Sequence, residues 1–404
     1  MRMTRTPRRK TKQKRTPRTP TVILLIAPAR AFDRGLLRGI ARYANERGPW
    51  TFLREPPHYR QIDWKKKVSD RLRSGTIDGV IMREPEKIDE IIEMKVPAVC
   101  APITRRTIDG LINIVIDNDT VGNLAANHLL DRKFCHYAYC GFADMYSSQA
   151  RGVAFARRIE RAGFTCDIYE QPKTRTIQRL WENELPLLTE WVKALPKPVG
   201  LFTCNDDRSR DVVEACHNAK LHIPGDVAIL GVDNDEFICD LANPSLSSIS
   251  LNAETIGYRA AQRLAKLMNG KDLRDLTIVG APTHVNARTS TDIMLIDDPY
   301  IRKALLFIRQ HCDQLIQVKD VAQVSGISTR SLHKRFGALV GRSVLEQIHR
   351  EKIDKVCRYL LEYRQTVAQI ANRLGFADTK QLDRIFKRFQ GMTPTQYRKK
   401  YHIG

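Results

Sequence analysis

Two hydrophobic patterns divide the chain. Between residues 21 and 232, short apolar runs rich in Val and Ile alternate with longer amphipathic stretches, which is the pattern of βαβ units and parallel sheets. The sequence predicts nine strands, at Thr21–Ala27, Thr51–Arg54, Gly79–Arg83, Ala98–Ala101, Ile112–Asp117, His136–Gly141, Cys166–Glu170, Val199–Cys204 and Val227–Val232. Because one compact sheet usually has fewer strands than this, we expect two α/β lobes.

The amphipathic stretches between these strands predict helices, for example at Arg34–Glu46, Thr120–Leu130 and Ser148–Arg161. Three later apolar segments are too short to build another lobe. We interpret them as crossings back between the lobes, at Ser247–Leu251, Thr277–Val279 and His284–Asn286.

Beyond residue 300 the pattern becomes helical, and one short motif occurs twice. Each copy has an apolar-periodic helix, a glycine-centred turn, a capping residue and a basic amphipathic helix. The matching positions are Gly326 and Gly375 in the turn, Ser328 and Asp378 at the cap, and Leu332, Phe336, Leu382 and Phe386 in the second helix. The motif predicts helix-turn-helix units at 318–339 and 367–390, whose second helices enter the DNA major groove.

A further apolar-periodic stretch, Val344–Leu361, predicts the helix that joins the two units rigidly. Their recognition helices can then occupy successive major-groove faces about 34 Å apart. A monomer would read two adjacent DNA segments, and a dimer four.

The distribution of charge supports a nucleic-acid partner. The chain has 67 basic and 45 acidic residues, a net charge of +22. Residues 1–20 contain nine basic and no acidic residues, residues 298–404 contain 21 basic and nine acidic, and the middle is almost neutral. Basic charge concentrated at the two ends indicates binding to a polyanion such as double-stranded DNA.

The sequence gives no support for a metalloprotein, a membrane or secreted protein, or an enzyme. The nine cysteines show no metal-ligand spacing, so we expect reduced thiols and no metal or other cofactor. No apolar run approaches the roughly 18 residues of a membrane span, and residues 1–20 predict a disordered basic arm instead of a secretory signal. The absence of GxSxG, P-loop and GxGxxG motifs argues against an enzyme.

The side chains on the side of each recognition helix opposite its apolar face suit the readout of DNA bases. Arg and Lys pair with guanine, and Gln pairs with adenine. The candidate DNA-binding residues are Arg330, His333 and Lys334 in the first unit and Lys380, Gln381 and Arg384 in the second. The alternative is contact with phosphates only. We expect backbone contact or solvent exposure for Arg335, Lys387 and Arg388.

Polar side chains also follow the predicted strands at their carboxyl ends, where open α/β sheets bind ligands. The candidate ligand-binding residues are Asp33, Arg83, Asp117, Asn118, Arg151, Asn205 and Asp233. Carboxylate, guanidinium and amide groups satisfy the hydroxyls of a sugar. The alternative is that an Asp caps the following helix. For Asp33 and Asp206 we expect ligand contact and helix capping equally. Phe142 and Trp181 could stack on a sugar ring, although core packing is the more common role of such residues.

Residues 21–292 resemble the sugar-sensing domain that LacI/GalR-type repressors share with periplasmic sugar-binding proteins. The resemblance rests on the stretches 223–233 (IPGDVAILGVD), 243–249 (NPSLSSI), 256–261 (IGYRAA) and 288–291 (RTST), in that order. It implies a two-lobe α/β sensor in which Asp117, Arg151, Asn205 and Asp233 contact the ligand.

The C-terminal part, residues 301–404, resembles the AraC/XylS family of regulators after a linker at 293–300. The resemblance includes 332–336 (LHKRF), 341–343 (GRS), 386–389 (FKRF) and 391–398 (GMTPTQYR). It implies an all-α DNA-binding domain with its base contacts on the recognition faces given above.

Together the two resemblances imply a transcription regulator of the bacterial cytoplasm, associated with the nucleoid, that activates a pentose catabolic operon. The expected partners are an operator duplex, a small sugar such as D-xylose, a second copy of the chain and RNA polymerase. The alternatives are a regulator of another sugar or metabolite and a non-specific architectural DNA-binding protein. A transport-type binding protein would be exported and would lack the DNA-binding end.

Overall fold

A computed structural model describes residues 18–54, 70–71, 73–85, 88–172, 176–293, 296–363 and 365–401. Most of the predicted basic arm, residues 1–17, lies outside the described residues. Its last three residues are ordered, because Arg18 donates a hydrogen bond to the Thr76 carbonyl oxygen at 2.5 Å and Pro20 accepts one from Thr51 at 2.8 Å. Residues 18–20, the last of the predicted arm, thus contact the sensor region.

The sensor region alternates strands and helices as the sequence predicts. In chain order its elements are β1 (Thr21–Leu25), α1 (Ala31–Arg47), β2 (Thr51–Leu53), β3 (Gly79–Arg83), α2 (Ile88–Glu93), β4 (Ala98–Ala101), β5 (Ile112–Ile116), α3 (Asn118–Leu130), β6 (His136–Cys140), α4 (Tyr146–Glu160), β7 (Cys166–Ile168), α5 (Trp181–Ala194), β8 (Val199–Thr203), α6 (Asp206–Asn218), β9 (Val227–Val232), α7 (Glu236–Leu241), β10 (Ser247–Leu251), α8 (Ala253–Met268), β11 (Thr277–Gly280) and β12 (Pro282–Asn286).

Two six-stranded sheets divide these strands into two lobes. Lobe 1 has the strand order β11-β5-β4-β3-β1-β2, and all of its pairings are parallel. Lobe 2 has the order β12-β10-β9-β8-β6-β7, in which only the β10–β12 pair is antiparallel. Helices cover both faces of each sheet, so the strands read as almost continuous apolar runs.

The three segments that the sequence analysis treated as simple crossings are strands of the sheets. β11 adds to the edge of lobe 1 beside β5, and β10 and β12 complete lobe 2. Short length misled the prediction, because an edge strand needs only one partner and β11 has four residues.

The chain crosses between the lobes at three neighbouring places, near Asp117, Asn252 and Ala281. The backbone amide of Asp117 donates to the Gly280 carbonyl oxygen at 2.8 Å. Asn252 and Ala281 are joined by two hydrogen bonds, one backbone to backbone at 3.3 Å and one from the Ala281 amide to the Asn252 side chain at 2.9 Å. These crossings form the hinge on which the lobes can move.

The C-terminal domain is entirely helical. Its elements are α9 (Pro299–His311), α10 (Val318–Ser325), α11 (Thr329–Val340), α12 (Val344–Glu362), α13 (Val367–Arg373), α14 (Thr379–Gln390) and α15 (Pro394–Tyr401). α10 and α11 form the first helix-turn-helix unit, and α13 and α14 form the second. Each unit has its own apolar core, and α12 contributes to both. The predicted all-α domain with two such units is confirmed.

Candidate ligand cleft and nucleic-acid interface

A cleft of about 80 Å³ lies between the carboxyl ends of the strands in the two lobes. Such a space holds roughly half a dozen water molecules, which is the size range of a monosaccharide. Six of the predicted ligand residues line the cleft, namely Asp33, Arg83, Asn118, Arg151, Asn205 and Asp233. The topology brings them together from the ends of five different strands and from the helices that follow.

Arg151 forms the floor of the cleft on the lobe 2 side, with 6% of its surface exposed. Its Nε donates to the Asn118 side chain at 3.1 Å and its Nη1 to the Cys204 carbonyl oxygen. Close packing of α3 on α4 makes this contact possible, because a Cβ at Gly122 would lie only 2.8 Å from the Arg151 carbonyl oxygen. The guanidinium is thereby fixed with part of its donor capacity unused.

Asp33 and Arg83 contribute an opposed pair of charges from lobe 1. The Asp33 carboxylate lies 3.7 Å from Arg83 Nε, yet its buried Oδ1 has no hydrogen-bond partner among the described residues. Burial raises the pKa of Asp33, although Arg83 and two neighbouring arginines oppose the shift. Arg83 also lies over the Phe32 ring, 5.7 Å from its centroid. An unused acceptor beside a cation suits a ligand hydroxyl.

Asp233 enters the cleft from a strained turn at the end of β9. Its φ of 102° and that of Asn234, 50°, both lie in the left-handed region that non-glycine residues rarely adopt. Hydrogen bonds from the Asp233 amide to Ile249 and from the Asn234 amide to Ser248 hold this turn, each at 2.9 Å. Burial raises the pKa of Asp233 to about 6, against the opposing effect of Arg151 and Arg30. Strain of this kind costs about 1–3 kcal/mol and is typical of functional sites.

Some candidates have other roles in the structure. The Asp117 carboxylate caps α3 by accepting from the Thr120 amide at 3.0 Å and the Thr120 hydroxyl at 2.7 Å, and Asp117 is not among the residues that line the cleft. Asp206 is buried and accepts from the Ser248 hydroxyl and the Asp235 amide. Phe142 packs in the core of lobe 2 beneath Arg208, and Trp181 packs on a separate core in the same lobe.

The structure adds cleft residues that sequence reasoning missed. Beside Phe32, which precedes Asp33, the additional polar or aromatic residues lining the cleft are Arg30, Arg105, Arg106, Tyr146, Ser147 and Ser148. The loop that contains Arg105 and Arg106 follows β4. A search for polar side chains at the carboxyl end of β4, as made for the other strands, would have found it. Tyr146 precedes the expected start of its helix by two residues, and no feature of its own marked it.

The lobes are held together across the mouth of the cleft. Asp235 of lobe 2 accepts hydrogen bonds from the Ala31 amide at 2.9 Å and from Arg34 at 2.7 Å, both in α1 of lobe 1. Arg30 forms an ion pair with Asp207 at 3.0 Å. These contacts describe a closed arrangement of the two lobes.

The predicted DNA-binding side chains lie on the outer faces of α11 and α14. Arg330, His333, Lys334, Lys380 and Arg384 are exposed. Leu332, Phe336, Leu382 and Phe386, which the sequence placed toward the cores, have no exposed surface.

Two side chains of these helices have partners within the protein. Gln381 is partly buried, and its side-chain oxygen accepts a hydrogen bond from the Ala377 amide at 2.8 Å. Paired adenine contact through both ends of that amide is therefore restricted. Arg335 pairs with Asp298 at 3.1 Å and lies over the Tyr300 ring. It supports α9 in addition to any contact with the DNA backbone.

Other kinds of site are not found in the part of the chain described. No group of three or more His, Cys, Asp or Glu residues there could hold a metal ion. None of the helices described is long and apolar enough to cross a membrane.

Comparison with known proteins agrees with the division of the chain into a two-lobe sensor and a DNA-binding domain. Residues 126–291 match the model of a periplasmic binding protein-like domain, and residues 321–400 match that of a helix-turn-helix domain. An AraC-like transcription regulator of Streptomyces lividans is 35% identical over 102 residues, 25% of this chain and 34% of that protein. The chain joins a periplasmic binding protein-like sensor to an AraC-type helix-turn-helix domain. It is therefore built as a transcription regulator that binds DNA.

Other known proteins match over almost the whole length of the chain. The xylose operon regulatory protein of Haemophilus influenzae is 26% identical over 386 residues, covering 93% of this chain and 97% of that protein. The Escherichia coli K12 protein of the same name is 26% identical over 384 residues, with coverage of 93% and 96%. The solved structure of the xylose-binding transcription activator XylR superimposes with a TM-score of 0.58 at 24% identity, covering 95% of this chain and 98% of that one.

Proposed function

We propose that the chain is a sugar-responsive regulator of transcription whose cleft binds a pentose, with D-xylose as the first candidate. The observation that carries this proposal is a cleft of monosaccharide size lined by Asp33, whose buried Oδ1 has no hydrogen-bond partner among the described residues. The names of the full-length relatives favour xylose among the pentoses. We place this chain in the bacterial cytoplasm, where a regulator of transcription has access to its operator.

The chemistry of the cleft suits a neutral polyol. A sugar hydroxyl donates one hydrogen bond and accepts others, so it needs carboxylates and cationic donors side by side. Asp33 and Asp233 supply acceptors, while Arg83 and Arg151 supply donors. Phe32 and Tyr146 are the aromatic residues of the lining and can cover the apolar face of the ring.

Ligand binding can reach the DNA-binding domain through α15, which contacts both lobes. The Tyr397 hydroxyl donates to the Thr283 carbonyl oxygen in β12 of lobe 2 at 2.7 Å. At the end of the same helix, the Tyr401 carbonyl oxygen accepts from the Thr255 hydroxyl in α8 of lobe 1 at 2.7 Å. Any rotation of one lobe relative to the other must therefore stretch or move α15.

The first helix-turn-helix unit is attached differently, since among the described residues its polar contacts with the sensor are to lobe 2. Arg342 pairs with Asp131 at 2.5 Å, and Lys133 donates to the Val340 carbonyl oxygen at 3.3 Å. Lobe 2 and the first unit thus move together, while the second unit follows both lobes. A change in lobe closure therefore alters the placement of the DNA-binding domain on the sensor, and with it the relative placement of the recognition helices of two copies in a homodimer.

For regulation, the sugar must bind one arrangement of the lobes more tightly than the other. A coupling free energy of about 1–3 kcal/mol is usual for such systems. We propose that the pentose favours the closed arrangement and that this arrangement, as a homodimer, engages the operator and RNA polymerase to activate a catabolic operon.

A thermal-unfolding screen of the full-length protein tests the ligand class. D-xylose, L-arabinose, D-ribose, D-glucose and a polyol are added separately to the wild type and to Asp33→Asn. A sugar at 100 times its dissociation constant stabilises the sensor by roughly 2.7 kcal/mol, which raises its unfolding temperature. We expect D-xylose to shift the wild type and to shift Asp33→Asn much less. A shift only with hexoses would reject the pentose, and no shift with any sugar would reject the sugar sensor.

A further inference from the structure

The two recognition helices can be aligned residue by residue from their caps. Ser328 caps α11 by accepting from the Ser331 amide at 3.2 Å, and Asp378 caps α14 by accepting from the Gln381 amide at 2.6 Å. Four and eight residues after each cap lie the buried pairs Leu332 with Phe336 and Leu382 with Phe386. Side chains at equal distances from the two caps therefore lie on equivalent faces.

This alignment places Asp383 at the position of His333. Both residues come five positions after the cap, and each precedes a basic residue, Lys334 or Arg384. Asp383 is partly exposed and lies between Lys380 and Arg384 in the sequence of α14, at the edge of its exposed face. The second recognition face thus carries a carboxylate among cations, whereas the first carries an imidazole.

Most acidic residues near Asp383 in the DNA-binding domain have a structural role. Asp298 and Asp313 pair with Arg335 and Lys355, and Asp320 and Asp378 cap helices. Asp383, in contrast, forms no ion pair within 4.0 Å with any side chain in the described ranges. Its role is accordingly not explained by contacts within the domain.

A carboxylate on a DNA-facing surface is repelled by phosphates unless it accepts a hydrogen bond from a base. Cytosine N4 and adenine N6 are the donors that the major groove offers, and Asp or Glu pairs with cytosine N4. The neighbouring Arg384 suits the O6 and N7 acceptors of guanine.

We propose that Asp383 is a specificity-determining residue that selects a cytosine within the operator segment read by α14. This inference rests on the proposed DNA-binding function and makes it more specific. Asp383 adds little to total affinity, because its charge opposes the phosphates, but it penalises duplexes that lack a donor at that position. Arg384 and Asp383 together favour a segment in which guanine and cytosine both occur.

Selection from a pool of random duplexes tests this inference with the full-length protein, with and without D-xylose. Wild type, Asp383→Asn and Asp383→Ala are compared. Asp297→Asn is the matched control, since it removes the same charge from an exposed residue outside both recognition helices. Asparagine keeps the size of the side chain but pairs with adenine instead of cytosine.

We expect wild type and Asp297→Asn to select the same sequences, with one cytosine that Asp383→Asn no longer requires. Discrimination at that position should fall about 10-fold, and the other positions should be unchanged. Asp383→Ala should bind random duplexes more tightly than wild type, because a repulsive charge is gone.

Identical selection by Asp383→Asn and wild type would overturn the role of Asp383 alone. Loss of preference at every position would also overturn it, since a purely structural role would disturb the whole helix. If wild type selects no sequence, the proposed DNA-binding function fails as well.

Discussion

The Thr255 hydroxyl of α8 donates a hydrogen bond to the Tyr401 carbonyl oxygen at 2.7 Å, so the last helix of the DNA-binding domain is tied to lobe 1. One turn earlier in that helix, Tyr397 is tied to lobe 2. A helix attached on both sides of the hinge converts a movement of the lobes into a movement of the second helix-turn-helix unit.

Thr255→Val should weaken the coupling between sugar and DNA without weakening sugar binding. Valine keeps the size of the side chain and removes its hydroxyl, so the link from lobe 1 to α15 loses a hydrogen bond worth about 1 kcal/mol. We expect D-xylose to change operator affinity about fivefold less than in wild type. Fluorescence anisotropy with a labelled operator measures this.

Thr277→Val is the control for that experiment, because it makes the same change in β11 of lobe 1, away from α15. It should respond to sugar as wild type does. An unaltered sugar response in Thr255→Val would show that the coupling does not pass through this contact.

Asp33→Asn should lower sugar affinity by about 10-fold or more. Hydrogen bonds to charged groups contribute about 1.5–3 kcal/mol, and the amide has one acceptor oxygen in place of two. Isothermal titration calorimetry with D-xylose gives the change directly. Asp117→Asn is the comparison: its carboxylate caps α3 outside the cleft, and Asn caps helices about as well as Asp, so both stability and sugar affinity should be nearly kept. Equal losses of affinity in both variants would contradict the assignment.

The raised pKa of Asp233 predicts a pH-dependent cost to stability. An acid whose pKa is higher in the folded state binds protons more tightly there, so stability falls as pH rises from about 4 to the folded pKa of about 6. Asp233→Asn removes this loss, which is at most about 3 kcal/mol. Without sugar, the variant should gain stability relative to wild type between pH 4 and 6. Urea unfolding at a series of pH values measures the difference, and a constant difference would reject the shift.

Arg384→Ala and Arg335→Ala should differ in their effects on DNA binding. Arg384 is exposed on the recognition face, so its loss should cost about 1–3 kcal/mol with the preferred operator and relax one position. Arg335 pairs with Asp298, so its loss should chiefly lower the stability of the domain by under about 1 kcal/mol. Anisotropy at fixed salt with matched and mismatched duplexes separates the two. Similar losses on both duplexes for Arg384→Ala would indicate phosphate contact instead.

Much of the fold follows from the periodicity of the sequence. The fully buried strands β3, β4 and β9 were predicted at their observed bounds, because strands covered on both faces are continuous apolar runs. The helix-turn-helix units were equally clear, since caps, glycines and apolar spacing agree there. The short strands β10 to β12 were not recognised as members of the sheets, because their pairing depends on distant partners that local pattern does not reveal.

Prediction of the candidate site is limited in the same way, because local sequence does not reveal tertiary contacts. Strand ends identified Arg151 and Asp233, whose positions follow from the topology of a parallel sheet. Local sequence could not distinguish a ligand contact from a helix cap at Asp117, because an Asp before a helix suits both. The backbone contact of Gln381 and the double attachment of α15 depend on tertiary geometry and have no signature in the sequence.

The most direct test of the account is the operator affinity of the full-length protein, measured with and without saturating D-xylose for wild type and Asp233→Asn. Anisotropy titrations at fixed salt give the dissociation constants. If sugar in the cleft controls the DNA-binding domain, D-xylose should change the wild-type value by about 5- to 150-fold and leave that of Asp233→Asn nearly unchanged. An operator affinity of the wild type that no sugar alters, or an equal sugar effect in both proteins, would contradict the account.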